Sequence, residues 1–194
     1  MGGALALLSV SAHAVYTIQL VEVGGDVVAT GSGSLNMSAS VSLSPASQWA
    51  FTIPVASWIT VGQTVGTAVD YYVMQNFVAP PNIGTGTVLV TATSGSGGNV
   101  GVNAGSVIVP LGYVSGTALP AATSTWAGAS LASLGITPGT YTWSWGTGPT
   151  ADSIVLNASV APPQAVPTLG EYAMLGLASL LAMSGIAYAR KRTG

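Results

Sequence analysis

Residues 137–160 read TPGTYTWSWGTGPTADSIVLNASV, and their period decides the fold. Pro138 and Gly139 stand in the order that a reverse turn uses. Tyr141, Trp143 and Trp145 then alternate with Thr142 and Ser144, the period of two that marks a strand with one buried face. A second break, Gly146-Thr147-Gly148-Pro149, is followed by Asp152 to Val160. There Ile154, Leu156, Ala158 and Val160 fall on one face and Ser153, Asn157 and Ser159 on the other. Two alternating runs joined by turn residues predict an antiparallel hairpin with an aromatic row turned to the core.

The same period appears at the other end of the body. Tyr16, Ile18 and Leu20 oppose Thr17, Gln19 and Val21, Gly24-Gly25-Asp26 supplies a tight turn, and Val27 to Leu35 returns as a partner strand. From Ser38 to Val65 the pattern weakens, with Pro45 and Pro54 placing short runs at edges or in loops. Val69 to Val78 is dense in β-formers and stops at Pro80-Pro81-Asn82. Further strands are expected over Thr87–Thr93, Val100–Asn103, Val107–Val109 and Tyr113–Thr117, and the Gly-rich run Ser94 to Asn99 is expected to be a turn. Short strands separated by regular turn signals predict an all-β, antiparallel β-sandwich of jelly-roll-like type. A β-solenoid would share the Gly, Asn and Thr content, but no fixed period supports one.

Composition narrows the chemistry. Only 4% of the 194 residues are charged, so solubility rests on Ser and Thr hydroxyls. Between Val15 and Ala165 the only carboxylates are Glu22, Asp26, Asp70 and Asp152, and there is no His, Cys, Lys or Arg. A serine nucleophile has no base there, a thiol nucleophile is absent, and no catalytic zinc set can form from those residue types. The body has no basic patch for a phosphate backbone, which excludes nucleic acid as a partner, and no cofactor or metal site is expected. Glu22 and Asp26 read as solvated residues flanking a turn. Without cysteine there is no disulfide framework, and about 150 residues can bury a core without one.

Both ends read as targeting segments. GALALLSVSAHA, residues 3–14, is an apolar run ending in Ala12-His13-Ala14, the small-variable-small pattern of a signal-peptidase site. Residues 1–14 are thus expected to be a signal peptide, truncated at its front because Met1-Gly2-Gly3 lacks positive charge, with Val15 as the mature start. At the other end, VPTLGEYAMLGLASLLAMSGIAYARKR occupies residues 166–192. Eighteen uncharged residues, Tyr172 to Ala189, would span about 27 Å as a helix, close to the hydrocarbon thickness of a bilayer. Arg190, Lys191 and Arg192 are the only Lys or Arg in the chain, and by the positive-inside rule they place the C-terminus in the cytoplasm. The expected organisation is a β-sandwich ectodomain over 15–161, a Pro-rich spacer and motif over 162–170, a transmembrane helix over 171–189 and a basic tail over 190–194.

Motif, apolar span and basic cluster, in that order, resemble the sorting signals read by membrane-embedded transpeptidases of the exosortase and archaeosortase type. Val166-Pro167-Thr168-Leu169 followed by Glu171 and Tyr172 resembles in particular the IPTL-CTERM signal, a PEP-CTERM-like variant in which Ile-Pro-Thr-Leu precedes a small residue, Glu and Trp. Val166, Gly170 and Tyr172 depart from that pattern by conservative changes. The phrases GYVSGTAL, SLGITPGTYTWSWG and ADSIVLN resemble the bodies of bacterial exported proteins that carry such tails, whose fold looks all-β and from which no activity follows. The resemblance implies an exosortase-like enzyme and signal peptidase as processing partners, and a cell-envelope, surface or matrix location associated with biofilm or exopolysaccharide.

Three functions fit the residues. The first is an exported structural or adhesive protein. The second is a carbohydrate-binding module, with Trp126, Tyr141, Trp143 and Trp145 stacking on sugar rings. The third is a glycosidase built from carboxylates alone, for which no motif exists. The expectation is that the protein is not an enzyme. For the tail, the alternative to a processed signal is a permanent single-pass anchor.

Overall fold

The computed structural model describes residues 15–162 and 173–181. The chain divides into two units, Met1–Ala161 and Pro162–Gly194.

Two β-sheets make up the first unit. The N-terminal hairpin joins β1 (Val15–Val23) to β2 (Asp26–Ser34), and Gly24 and Gly25 take the positive φ values, 64° and 89°, that its two-residue turn demands. The C-terminal hairpin joins β12 (Gly139–Trp145) to β13 (Asp152–Val160) in the register Trp143↔Ile154. Both hairpins lie in one six-stranded sheet, ordered β12-β13-β1-β2-β11-β8, which is completed by β8 (Ser94–Ser96) and β11 (Ala118–Trp126). The second sheet has seven strands in the order β3-β6-β10-β9-β5-β4-β7. These are β3 (Ser40–Gln48), β4 (Phe51–Ile53), β5 (Trp58–Val61), β6 (Thr67–Met74), β7 (Val90–Thr91), β9 (Val100–Val102) and β10 (Ser106–Pro110).

One core fills the space between the sheets. Tyr16, Ile18, Leu20, Trp126, Trp143, Trp145, Ile154 and Leu156 from the first sheet pack with Ile59, Val61, Val100, Val102, Val107 and Val109 from the second. The inward residues of β1, β12 and β13 are those that the period of two selects. Ser124 of β11 links the sheets at one corner: its hydroxyl accepts from the Gly62 N–H at 2.9 Å and donates to the Gly62 carbonyl at 3.0 Å.

Five sequence expectations need correction. The sheets are antiparallel except that β1 and β13 pair in parallel, Val15↔Ser153 through Glu22↔Val160, because the first and last strands of the unit run side by side in the same direction. A jelly-roll-like wrapping, in which most successive strands change sheet, does not occur. Instead β1–β2, β4–β5, β9–β10 and β12–β13 pair sequence neighbours within a sheet. Tyr113–Thr117 is a loop closed by the Tyr113 hydroxyl on the Thr117 carbonyl at 2.6 Å, and the strand lies after it, at β11. Pro120 hid that strand from the sequence; a register shift between Leu119 and Ala122 accommodates it, since proline has no N–H to give a ladder. Finally, the Gly-rich run is a turn only in part. Ser94–Ser96 forms the edge strand β8, and Gly95 runs so close to the Gly62 carbonyl that a Cβ there would collide with it. Of the strand expected over Thr87–Thr93, only Val90–Thr91 forms.

Pro45 sits on β3, an edge strand, as its missing N–H requires.

Candidate functional site

The four carboxylates of the body are each engaged by a backbone N–H from elsewhere in the chain. Glu22 Oε2 accepts from Leu131 at 2.8 Å, Asp26 Oδ1 from Gly128 at 2.8 Å, and Asp70 Oδ2 from Gly112 at 2.8 Å. Asp152, only 5% exposed, accepts from Asn36 through Oδ2 and from Ser153 through Oδ1. Hydrogen bonds to an ionised acceptor are roughly twice as strong as neutral ones, so these groups act as loop clamps. That corrects the expectation for Glu22 and Asp26: both are half-buried and hold the segment after β11 rather than standing in solvent. Among the described residues no three of the His, Cys, Asp and Glu side chains gather as a metal-binding group.

Asp152 belongs to a larger clamp on residues 35–37. The Trp145 indole donates to the Asn36 carbonyl at 3.0 Å, the Tyr113 hydroxyl accepts from the Leu35 N–H at 2.9 Å, and Ser115 Oγ accepts from the Met37 N–H at 2.9 Å. Phe77 stacks on Trp145 with ring centroids 6.4 Å apart.

The aromatic residues singled out as glycan-stacking candidates are mostly interior. Trp126, Trp143 and Trp145 are at most 2% exposed, and Trp126 donates its indole N–H to the Val90 carbonyl at 3.0 Å. A ring with no open face cannot take a sugar. Tyr141 is half-buried and donates its hydroxyl to the Thr137 carbonyl at 2.8 Å. Two tryptophans that the alternation argument passed over lie elsewhere: Trp49 is 36% exposed and Trp58 half-buried, and both contact Phe51.

Burial pushes the hydroxyls of Tyr16, Tyr71 and Tyr72 upward. Tyr16 has the strongest push, from complete enclosure, and its oxygen has no hydrogen-bond partner. Tyr71 is raised by burial against an opposing hydrogen bond with Gln48, and Tyr72 by burial and then by the Asp70 charge. A cleft of about 280 Å³ opens between Thr85–Val90 and Ala132–Gly135, with no charged side chain in its walls.

In the second unit, residues 173–181 are helical and every described side chain is exposed. Met174, Leu175, Leu177, Leu180 and Leu181 are 60–73% exposed, and Ser179 donates to the Gly176 carbonyl at 2.8 Å. A helix apolar on all sides ordinarily lies in a protein core or a membrane. No helix among the described residues is long and apolar enough to cross a bilayer; of the transmembrane helix expected over 171–189, the described residues cover 173–181. Ala12, Ala14, the motif Val166, Pro167, Thr168, Leu169, Glu171 and Tyr172, and the cations Arg190, Lys191 and Arg192 lie outside the described residues.

Residues 164–192 match the IPTL-CTERM motif. The match spans the motif, the apolar stretch and the basic cluster together. An IPTL-CTERM signal implies an exported protein that is processed at the membrane, in general by an enzyme of the exosortase type. No curated protein matches the chain, and no solved structure does.

Proposed function

We propose that this is an exported cell-surface or extracellular-matrix protein whose β-sandwich has a structural or adhesive role. The IPTL-CTERM match at 164–192 carries the reading. In it, a signal peptide ending at Ala12-His13-Ala14 starts export. The apolar segment then holds the chain in the membrane with Arg190, Lys191 and Arg192 on the cytoplasmic side. An exosortase-like transpeptidase finally reads Val166 to Tyr172 and releases or transfers the body.

The body suits display rather than catalysis. Its carboxylates are spent on holding loops and three of its five tryptophans on the core, and Ser, Thr, Asn and Gln are common among its outward strand positions. Protease treatment of intact cells tests the reading. The sandwich should be degraded, or found in the medium, in cells with the processing enzyme, and should accumulate as a membrane-bound precursor in cells lacking it. A protein wholly protected inside intact cells in both strains would refute it.

A further inference from the structure

The strand that leads into the sorting segment is held on both sides. β13 ends at Val160, two residues before Pro162 opens the spacer, and it lies inside the six-stranded sheet between β12 and β1. Eight residue pairs join it to β1, Val15↔Ser153 through Glu22↔Val160, and seven join it to β12, Gly139↔Ala158 through Trp145↔Asp152. The ladder reaches one residue further, because the Ala161 N–H donates to the Glu22 carbonyl at 2.9 Å. β1 is itself paired along its length with β2. On the core side Ile154, Leu156 and Ala158 are at most 5% exposed, and Ile154 and Leu156 lie beside their buried cross-strand partners Tyr16, Ile18 and Trp143.

Direction matters as much as number. β1 and β13 are parallel, so the start of β1 and the end of β13 lie at opposite ends of their ladder. A pull on Ala161 along β13 acts across hydrogen bonds that bridge the gap between strands, and it loads them together. A pull that parted the strands from one end would open the same bonds singly. β13 can leave along its own axis only by sliding past both neighbours and drawing its buried side chains out of the core. We propose that β13 is a tension clamp: the fold sets the strand next to the tail where force arriving through the spacer meets its greatest resistance. The property is one of rate rather than equilibrium, since forced unfolding follows the barrier to leaving the native state. The proposal rests on the surface reading given above, in which the C-terminal segment is the body's attachment, and adds that this attachment withstands tension.

The test is single-molecule force spectroscopy on the full-length protein in mild detergent. The chain has no cysteine, so introduced thiols are unique points of attachment, and Val15, Val23 and Pro162 are all exposed. Val15→Cys with Pro162→Cys pulls β1 and β13 from opposite ends of their ladder, and Val23→Cys with Pro162→Cys pulls them from the same end. At one loading rate the first pair should hold to at least twice the force of the second. It should then give way in a single step that releases roughly 500 Å of chain. Urea midpoints of the two variants should match that of the wild type, so that the ratio comes from direction and not from stability. Equal forces for the two pairs would overturn the proposal. So would a force ratio that follows the midpoints, or a first pair that frees β13 alone at low force before the rest unfolds. Surface display is read from intact cells and the clamp from the purified chain, so a displayed protein whose two pairs open at equal force sinks the clamp alone.

Discussion

Tyr16→Phe is expected to stabilise the protein. The Tyr16 ring is fully enclosed between the sheets, and its hydroxyl has no hydrogen-bond partner. The hydroxyl gave up its water on folding and regained nothing, a cost of about 1–3 kcal/mol for a buried polar group. Phenylalanine keeps the ring and its packing and removes only that oxygen. Allowing for the small void left behind, the gain should be about 1–2 kcal/mol, which for a domain near 150 residues is a rise in Tm of roughly 3–8 °C. The alkaline limb sharpens the test. Burial raises the Tyr16 pKa above its unfolded value of 10.0, so the unfolded chain releases that proton first. The stability linked to Tyr16 is therefore intact below pH 10 and falls as pH rises beyond it, by about 1.4 kcal/mol per pH unit for one group. The Phe variant lacks that slope, and its advantage should widen between pH 10 and 11. Urea titrations of the full chain in mild detergent, followed by tryptophan fluorescence, measure both effects. A variant less stable than wild type at pH 7, or a margin that does not grow above pH 10, would show that the hydroxyl has a partner and refute the reasoning.

Trp143→Ala should cost roughly 3–5 kcal/mol through lost burial and the cavity it leaves, seen as a lower urea midpoint. Asp152→Ala should cost about 1.5–3 kcal/mol, because the Asn36 N–H loses a charged acceptor; hydrogen exchange at residues 35–37 should rise more than in the β1–β2 hairpin. Gly31→Ala should cost about 1–3 kcal/mol, since the new methyl collides with the Tyr16 hydroxyl, and less in a Tyr16→Phe background, as a double-mutant cycle would show. Replacing Arg190, Lys191 and Arg192 with neutral residues should scramble the orientation of the C-terminus. Replacing Pro167 and Thr168 should leave insertion intact and block processing, so fractionation and mass together separate the two lesions.

The two terminal hairpins were legible in the sequence because each combines an unbroken period of two with a turn of defined chemistry. Tyr16, Ile18 and Leu20, or Trp143 and Trp145, needed no tertiary information to be placed inside. What escaped was non-local. No local pattern tells that β1 lies parallel to β13, because strand order is set by which edges meet after the hairpins form. The strand Ala118–Trp126 was missed since Pro120 breaks its pattern, and Tyr113–Thr117 was read as strand although Gly112 just before it and Gly116 within it both take positive φ, as a loop does. The tryptophans show the same limit. Alternation identifies rings that share a face, and a shared apolar face is usually the core, so the argument reached Trp143 and Trp145. Trp49, Phe51 and Ile53 alternate with Ala50 and Thr52, but the run is short and stops at Pro54, so it gave no signal as clear as that of residues 141–145. The sorting motif was legible for the opposite reason: its match at 164–192 rests on a linear string of residues and needs no fold.

Intact mass spectrometry of the protein from its native host tests the central claim most directly. With the processing enzyme present, the mature protein should have lost the apolar segment and its three terminal cations, and in a strain lacking the enzyme it should keep them. A mature protein that still carries residues 173–192 unmodified, in cells with an active enzyme, would contradict the account and leave a permanent membrane anchor.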